Sequence, residues 1–366
     1  MNEIFGKKLV IGDIVVDLPI IQGGMGVGIS LAGLASAVAN EGAIGVISAA
    51  GIGMFYKKYD DFEKNNVYAL RQEIRKAKQQ SKGIIGVNIM VALTNFSELV
   101  KASIQEEIDI IFAGAGLPLD LPKHLVPGSK TKLVPIVSSG RAARLLTKKW
   151  LNSYNYLPDA FVLEGPLAGG HLGFKKDQLE NEDYNLEKLL IEVKQAIKPF
   201  ELEYKRVIPV MVAGGIYTGE DIYNFLNLGA DAVQMATRFV TTFECDAELG
   251  FKEAYIKAKK EDIVFIDSPV GLPGRAINND FLIDVKKGLK HPFTCPYNCI
   301  ITCEKEKAPY CITLALINAK NGRLKNGFAF AGANAYLAEK IISVKELIED
   351  IVKEFKNAAS KSFITT

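Results

Sequence analysis

The stretch PVMVAGGIYTGEDIYNFLNLGADAVQMATR, residues 209–238, decides the fold. It begins with an uninterrupted apolar run at 209–213, continues with helical apolar spacing at 218–228, and returns to an apolar run at 232–235. Thr218 is a suitable N-cap for the helix, and two acidic residues follow in its first turn. Strands that are apolar on both faces belong to parallel sheets covered by helices, so the stretch predicts a strand–helix–strand unit.

The same alternation continues upstream of this stretch. Further segments with helical spacing lie at 31–40, 67–80 and 186–197, and Ser30 precedes the first of them as a candidate cap. Eight strand–helix alternations are typical of an α/β protein with a (β/α)₈ TIM barrel, and a doubly wound open sheet is the alternative. The candidate strands lie at 19–22, 44–48, 84–88, 108–113, 133–138, 160–164, 209–213 and 232–235.

The alternation stops near the end of the eighth strand. We therefore expect a barrel domain at 1–245 and a C-terminal extension at 246–366 that packs on the barrel. The extension is predicted to contain a helix at 247–260, a Gly/Pro loop at 268–275, a four-cysteine cluster, and a last helix at 344–356.

Composition limits the class of function. The chain has 366 residues, of which 48% are hydrophobic, and its 44 Lys+Arg and 42 Asp+Glu give a net charge of +2. This balance argues against nucleic acid or an anionic membrane as the main partner. Charged residues interrupt the first sixteen positions, so we expect no secretory signal. The uncharged run at 42–56 is too short for the roughly 20 residues of a membrane span. We expect a cytoplasmic protein with a small-molecule substrate, and a homodimer remains open.

Two loops follow the predicted seventh and eighth strands. Barrels commonly hold a phosphate on the backbone N–H groups of these loops, and Thr237 offers a hydroxyl donor as well. A simple turn is the alternative explanation for the glycines. The residues predicted to hold the phosphorylated group, and those next to them, are Ala213, Gly214, Gly215, Gln234, Met235, Ala236 and Thr237.

A glycine loop also follows the first strand, at Gly24, Met25 and Gly26. Glycines there let the backbone approach a flat or anionic ligand, although a tight turn explains them equally well. Asn88 ends the third strand, where its amide is placed to hydrogen-bond a heterocyclic ring. A satisfied core amide is the alternative for that residue.

His171 is the candidate catalytic residue. It follows the sixth strand, on the catalytic face of a barrel, in the segment EGPLAGGHLG that begins at Glu164 and includes Gly169 and Gly170. An imidazole at that position can act as an acid or base near neutral pH, whereas a structural histidine is the alternative. His124 lies in a Pro-rich loop and His291 borders the cysteine cluster, so neither is assigned to catalysis.

Taken together, these motifs resemble the nitronate monooxygenase family, formerly called 2-nitropropane dioxygenases, which includes flavin-dependent enoyl-acyl-carrier-protein reductases. The similarity covers PIIQGGMG, GVN, AGGHLG, VAGGI and QMATRF in order, from residue 19 to 238, with further similarity at 268–279. The resemblance implies a barrel that binds FMN non-covalently and a monooxygenase or related oxidoreductase activity. One departure is Leu167, because many nitronate-oxidising members carry an acid there.

The resemblance also implies roles for single residues. Gly24 to Gly26 and Asn88 would contact the flavin ring, and Gly214, Gly215, Ala236 and Thr237 would hold its phosphate, with Gln234 nearby. Glu164, Gly169 and Gly170 would also lie at the cofactor. His171 would take the α-proton of a nitronate-type substrate or stabilise developing charge.

The cysteine spacing is the other unusual feature. Cys295, Cys299, Cys303 and Cys311 fall within 17 residues, whereas Cys245 stands alone. Four thiolates in one segment can ligate a [4Fe–4S] cluster or, as a less favoured choice, zinc, and reduced cysteines are the third option. The two i, i+4 steps predict that the first three lie on one helical face, with Pro296 early in that helix and Pro309 turning the chain toward Cys311.

Several functions remain open beside the FMN-dependent oxidation of a nitronate. One is an NAD(P)H-dependent enoyl-thioester reductase at the same site, which an iron–sulfur cluster would favour because FMN handles single electrons. A non-flavin lyase or isomerase that grips a substrate phosphate is another, and an electron-carrying flavoprotein without turnover is a third. Arg275 is predicted to be a surface residue, with contact to an anionic substrate or a second nucleotide as the alternative.

Overall fold

The computed structural model describes residues 5–6, 8–290, 295, 297–304 and 306–364. Its strands, in chain order, are β1 (Leu9–Ile11), β2 (Ile14–Val16), β3 (Ile20–Gln22), β4 (Gly45–Ser48), β5 (Ile85–Met90), β6 (Ile110–Gly114), β7 (Lys132–Val137), β8 (Phe161–Glu164), β9 (Gly170–His171), β10 (Val210–Ala213), β11 (Ala232–Met235), β12 (Ile263–Asp267) and β13 (Pro273–Ile277). Its α-helices are α1 (Ala32–Asn40), α2 (Phe62–Gln80), α3 (Phe96–Gln105), α4 (Gly140–Tyr154), α5 (Leu186–Tyr204), α6 (Gly219–Asn227), α7 (Thr237–Val240), α8 (Leu249–Lys257), α9 (Asp280–Lys286), α10 (Ile312–Lys320) and α11 (Val344–Ile364). Among these described helices, none is long and apolar enough to span a bilayer.

Eight strands form one parallel sheet that closes into a barrel. Their order is β3-β11-β10-β8-β7-β6-β5-β4, and a parallel bridge between Ile21 and Ile44 joins the two ends of that order. The Ile44 N–H donates to the carbonyl of Ile20 at 3.0 Å, and the Gln22 N–H donates to the carbonyl of Ile44 at 2.9 Å. Each barrel strand lies within two residues of its predicted bounds. The TIM-barrel prediction is confirmed, and the doubly wound sheet is wrong.

The inside of the barrel is filled with side chains. Phe112, Val134 and Met211 belong to one buried cluster with Leu9 and Val16 of the antiparallel hairpin β1–β2. The hairpin, which was not predicted, therefore closes the end of the barrel where the strands begin. With that end closed and the interior packed, a ligand site is left to the carboxyl ends of the strands, as is usual for this fold.

The extension pairs directly with the segment that carries His171. Strands β12 and β13 form an antiparallel hairpin, and Gly274 and Arg275 of β13 pair with His171 and Gly170 of β9. The predicted Gly/Pro loop at 268–275 is therefore wrong in its second part, because Pro273–Ile277 is a strand with partners on both sides. Helix α8 is shorter than the predicted 247–260, since the flanking backbone is extended, and α11 continues beyond the predicted end at 356.

Helix α6 is capped by a residue next to it in the sequence, whereas α1 is capped by a residue far along the chain. Thr218 caps α6 as predicted, in a capping box. Ser30 does not cap α1, because its hydroxyl accepts a hydrogen bond from the early glycine loop instead. The N–H groups of Leu31 and Leu34 donate to the carboxylate of Asp246, at 2.7 and 3.1 Å. The first helix is thus capped from beyond the last barrel strand.

Candidate active site

A cavity of about 490 Å³ opens at the carboxyl ends of the barrel strands. Its size is within the usual range of small-molecule and cofactor pockets. No Lys or Arg side chain belongs to its lining in the described ranges. His171 lines this cavity, as does every residue predicted to contact the cofactor: Gly24, Met25, Gly26, Asn88, Glu164, Gly169, Gly170, Ala213, Gly214, Gly215, Gln234, Met235, Ala236 and Thr237.

One end of the cavity presents free backbone donors. Gly214 and Gly215 have φ angles of 97° and 86°, which turn the chain sharply after β10. The N–H groups of these two glycines, and those of Ala236 and Thr237, donate to no other described residue. The Thr237 hydroxyl accepts from the N–H of Gly332 at 3.3 Å, which leaves its own proton available. This donor set fits a phosphate and needs no cationic side chain.

Next to the loop after β11, the cavity has a floor of glycine backbone that follows β3. A Cβ on Gly24 would lie 2.4 Å from the Cβ of Asn88 and 3.2 Å from a methyl carbon of Val46. A Cβ on Gly26 would lie 2.9 Å from that of Ala50. Only glycine permits this approach of the loop to β4 and β5, and the resulting floor suits a planar ring. The Asn88 side chain faces the same cavity.

His171 is held by groups from the extension. Its Nε2 lies 2.7 Å from the hydroxyl oxygen of Ser268, and its ring packs edge-on against Phe330 with centroids 4.9 Å apart. Burial lowers the pKa of His171 to about 4, because the charged imidazolium would lose its water. The imidazole is therefore neutral at physiological pH.

The profile of the nitronate monooxygenase family matches residues 7–354. The chain belongs to the nitronate monooxygenase family. It is an FMN-dependent oxidoreductase, and the donor set and glycine floor described above fit that cofactor. A probable nitronate monooxygenase of Staphylococcus haemolyticus is 26% identical over 298 residues, which cover 74% of this chain and 78% of the relative. A second one, from Staphylococcus aureus, is 25% identical over 308 residues with the same coverage.

Solved structures agree with this assignment. FabK from Thermotoga maritima superposes on this chain with a TM-score of 0.74 at 29% identity, covering 96% of both chains. The nitroalkane oxidase from Streptomyces ansochromogenes superposes with a TM-score of 0.71 at 22% identity, covering 94% of this chain and 98% of the other. The second likeness is one of fold alone.

Glu164 is the acidic side chain of the cavity. It ends β8 and lines the cavity, and among the described residues its carboxyl has neither a hydrogen-bond nor an ion-pair partner. Burial raises its pKa to about 7, because the charged carboxylate is poorly solvated there. The cavity of this family member therefore contains a carboxyl group that changes charge near neutral pH.

Glu164→Gln should stabilise the protein at high pH and leave it unchanged at low pH. The folded pKa of about 7 exceeds the ordinary value of 4.5, so the carboxylate destabilises the fold progressively between these pH values and fully above them. The expected gain is about 3 kcal/mol at pH 8 and close to zero at pH 4.5. Urea unfolding of both proteins at pH 4.5 and pH 8 measures it. An equal difference at both pH values would contradict the assignment.

Arg275 is a buried structural residue that holds the backbone around Leu167. Arg275 is only 5% exposed, and its guanidinium donates to the carbonyls of Pro166 and Ala168 at 2.7 and 2.6 Å. It also stacks over Phe265, 4.7 Å from the ring centroid. The prediction that Arg275 is a surface residue is therefore wrong, and Arg275 does not belong to the cavity lining. The guanidinium thus holds the carbonyls on either side of Leu167.

The cysteine segment does not form the predicted helix. Asn298 has a φ of 49°, a left-handed conformation that a right-handed helix cannot continue, so Cys295, Cys299 and Cys303 do not share a helical face. Cys311 is instead the residue before α10, and Cys299 lies on the cavity wall, 3.1 Å from the hydroxyl of Thr313.

All five cysteines are free thiols. Burial raises the pKa of Cys299 and Cys311, which keeps both thiols protonated. Over the described part of the chain, no group of three or more His, Cys, Asp or Glu side chains is arranged to hold a metal. The described structure thus gives no support to the predicted four-cysteine metal site. His291 and Pro296 lie outside the described residues.

Ser268 and Phe330 are the site residues that sequence reasoning missed. Neither has a local pattern that indicates function, since one lies in a turn and the other in an irregular segment. The similarity at 268–279 was the one signal that pointed to the first of them. Both reach His171 only because the extension folds back over the barrel.

Proposed function

We propose that this chain uses FMN to oxidise a small nitronate or a related activated substrate, with His171 acting on the substrate directly. The observation that carries the proposal is a neutral imidazole on the wall of a cavity whose other residues suit FMN. When bound, FMN accepts or supplies electrons singly or in pairs. The protein's part is to bind and orient the substrate and to exclude water.

The cavity wall divides these tasks among its residues. Backbone donors at Gly214, Gly215 and Ala236 would hold the phosphate of the cofactor, and Asn88 would hydrogen-bond its ring. His171 hydrogen-bonds the substrate or moves its proton. Apolar side chains from the extension, among them Leu316 and Phe330, line the same cavity and keep it poor in water.

A second candidate is an NAD(P)H-dependent enoyl-thioester reductase. The described lining has no cationic side chain to neutralise an anionic nitronate, whereas a neutral thioester needs none. The likeness to FabK at 29% identity also favours this candidate. The same residues would serve both reactions, so the substrate has to be tested directly.

Anaerobic reduction of the bound flavin separates the two candidates. We expect propyl-2-nitronate to bleach the flavin absorption of the holoenzyme without any nicotinamide. If NADH or NADPH bleaches it instead, and a crotonyl thioester restores the colour, the enoyl-thioester function replaces our proposal. A colourless protein that takes up no FMN would favour a phosphate-binding lyase or isomerase.

The [4Fe–4S] cluster remains a prediction that the same preparation tests. Protein purified without oxygen should be analysed for iron and zinc, and its spectrum recorded before any substrate is added. Flavin bands alone support a plain flavoenzyme. Broad additional absorption with about four irons per chain would establish the cluster, and one zinc per chain would establish the alternative.

A further inference from the structure

The hydroxyl group of Ser268 is placed to decide which nitrogen of His171 carries the proton. The two side chains come from segments 97 residues apart, and the Oγ–Nε2 distance of 2.7 Å is that of a strong neutral hydrogen bond. Ser268 is buried, and a turn anchors it: its N–H donates to the carbonyl of Leu272 at 3.2 Å, and its own carbonyl accepts from Gly271 at 3.0 Å. The hydroxyl is therefore held in place, independent of any ligand.

The hydrogen bonds around this hydroxyl favour one direction of donation. The Ser268 oxygen already accepts from the N–H of Val270 at 3.4 Å. If Nε2 of His171 also donated to it, the serine proton would have no acceptor in the described structure and would remain buried and unsatisfied. If the serine donates to Nε2 instead, both the serine proton and the Nε2 lone pair have a partner. The single ring proton of the neutral imidazole then sits on Nδ1.

We infer that Ser268 is a positioning residue that fixes His171 as the Nδ1–H tautomer and so makes it a hydrogen-bond donor to the substrate. This inference rests on the proposed function, in which His171 meets the substrate. With Nε2 occupied by the serine, Nδ1 is the nitrogen left for a ligand. The packing of the ring against Phe330 limits its rotation.

A donor at this position has a chemical consequence. It can stabilise negative charge on an oxygen of the substrate, such as a nitronate oxygen or a thioester carbonyl that gains charge during reduction. It cannot remove an α-proton, because the nitrogen that lacks a proton is engaged by the serine. A lining without cationic side chains depends on such a neutral donor.

The test is the protonation state of the two ring nitrogens, read by NMR on the FMN-loaded protein with ¹⁵N-labelled histidine. Only three histidines occur, and His171→Ala assigns the signal. We expect His171 to show a protonated Nδ1 and an unprotonated Nε2 from pH 6 to pH 8. A protonated Nε2 in the wild type would overturn the inference.

Variants separate the hydroxyl from the packing around it. Ser268→Ala should shift the His171 nitrogens to an average of both tautomers and lower kcat at least tenfold with little change in KM, whereas Ser268→Thr should restore the wild-type signals. Ser138→Ala is the matched control, because that serine lines the same cavity but donates to the carbonyl of Gly173 at 3.2 Å. Unchanged His171 signals in Ser268→Ala would refute the inference. The nitrogen signals need no substrate, so they remain informative if the proposed substrate class is wrong.

Discussion

Gly214→Ala is expected to give a folded protein that has lost most of its FMN. Gly214 has a φ of 97°, and a Cβ there would lie 2.9 Å from both the N of Ala168 and the carbonyl oxygen of Gly165. The loop must move to relieve this contact, which displaces the N–H donors at the phosphate end. A loss of roughly 3 kcal/mol corresponds to about a hundredfold weaker FMN binding. Flavin content after purification and fluorescence titration of the apoprotein with FMN measure the effect.

Gly229→Ala is the matched control for that experiment. Gly229 has a similar φ of 105°, but a Cβ there meets nothing within 4 Å. The alanine therefore experiences the same kind of backbone strain in the turn before β11 without crowding the cavity. We expect it to lower stability and to keep stoichiometric FMN. If Gly214→Ala bound FMN as tightly as this control, the two late loops would not be the phosphate site.

His171→Ala should lower kcat/KM by a factor of about 100 to 10,000, the usual contribution of a positioned acid, base or hydrogen-bond donor. FMN content should stay unchanged, because the phosphate donors and the glycine floor do not involve this side chain. Stopped-flow measurement of flavin reduction under anaerobic conditions separates the chemical step from binding. His171→Gln keeps an N–H donor and should retain more activity than the alanine variant.

His124→Ala controls for the loss of a histidine elsewhere. His124 lies outside the cavity lining, in the short turn before β7, and burial lowers its pKa as well. We expect its removal to leave flavin reduction unchanged. Full activity in His171→Ala would instead remove this residue from the catalytic role and would favour a flavoprotein that carries electrons without turnover.

The barrel was predictable because its signals are local. Each barrel strand is buried on both faces and is therefore a continuous apolar run in the sequence, and the residues predicted to contact the cofactor lie directly after those runs. Helix α6 was predictable for the same reason, because its cap Thr218 and the acidic Asp221 lie three residues apart in the sequence. Motif order then placed His171 and the glycine loops at one end of the barrel.

Contacts between distant segments could not be predicted. Asp246 caps a helix that begins at Ala32, and β9 is only two residues long, so it exists only through its pairing with β13. Strand β12 alternates irregularly between exposed and half-buried positions, which hides it from pattern analysis. The cysteine spacing wrongly predicted a helix, because an i, i+4 pattern does not reveal the left-handed backbone conformation of Asn298.

The pairing of β9 with β13 also means that the surroundings of His171 are translated after the last strand of the barrel. All eight barrel strands have been translated once residue 235 has left the ribosome, yet His171 then still lacks its partner strand and its serine. Both arrive with the hairpin that ends at Ile277. Until that hairpin is in place, the residue that we propose for catalysis has neither of these contacts. The candidate site is therefore complete only when the second half of the chain packs against the first.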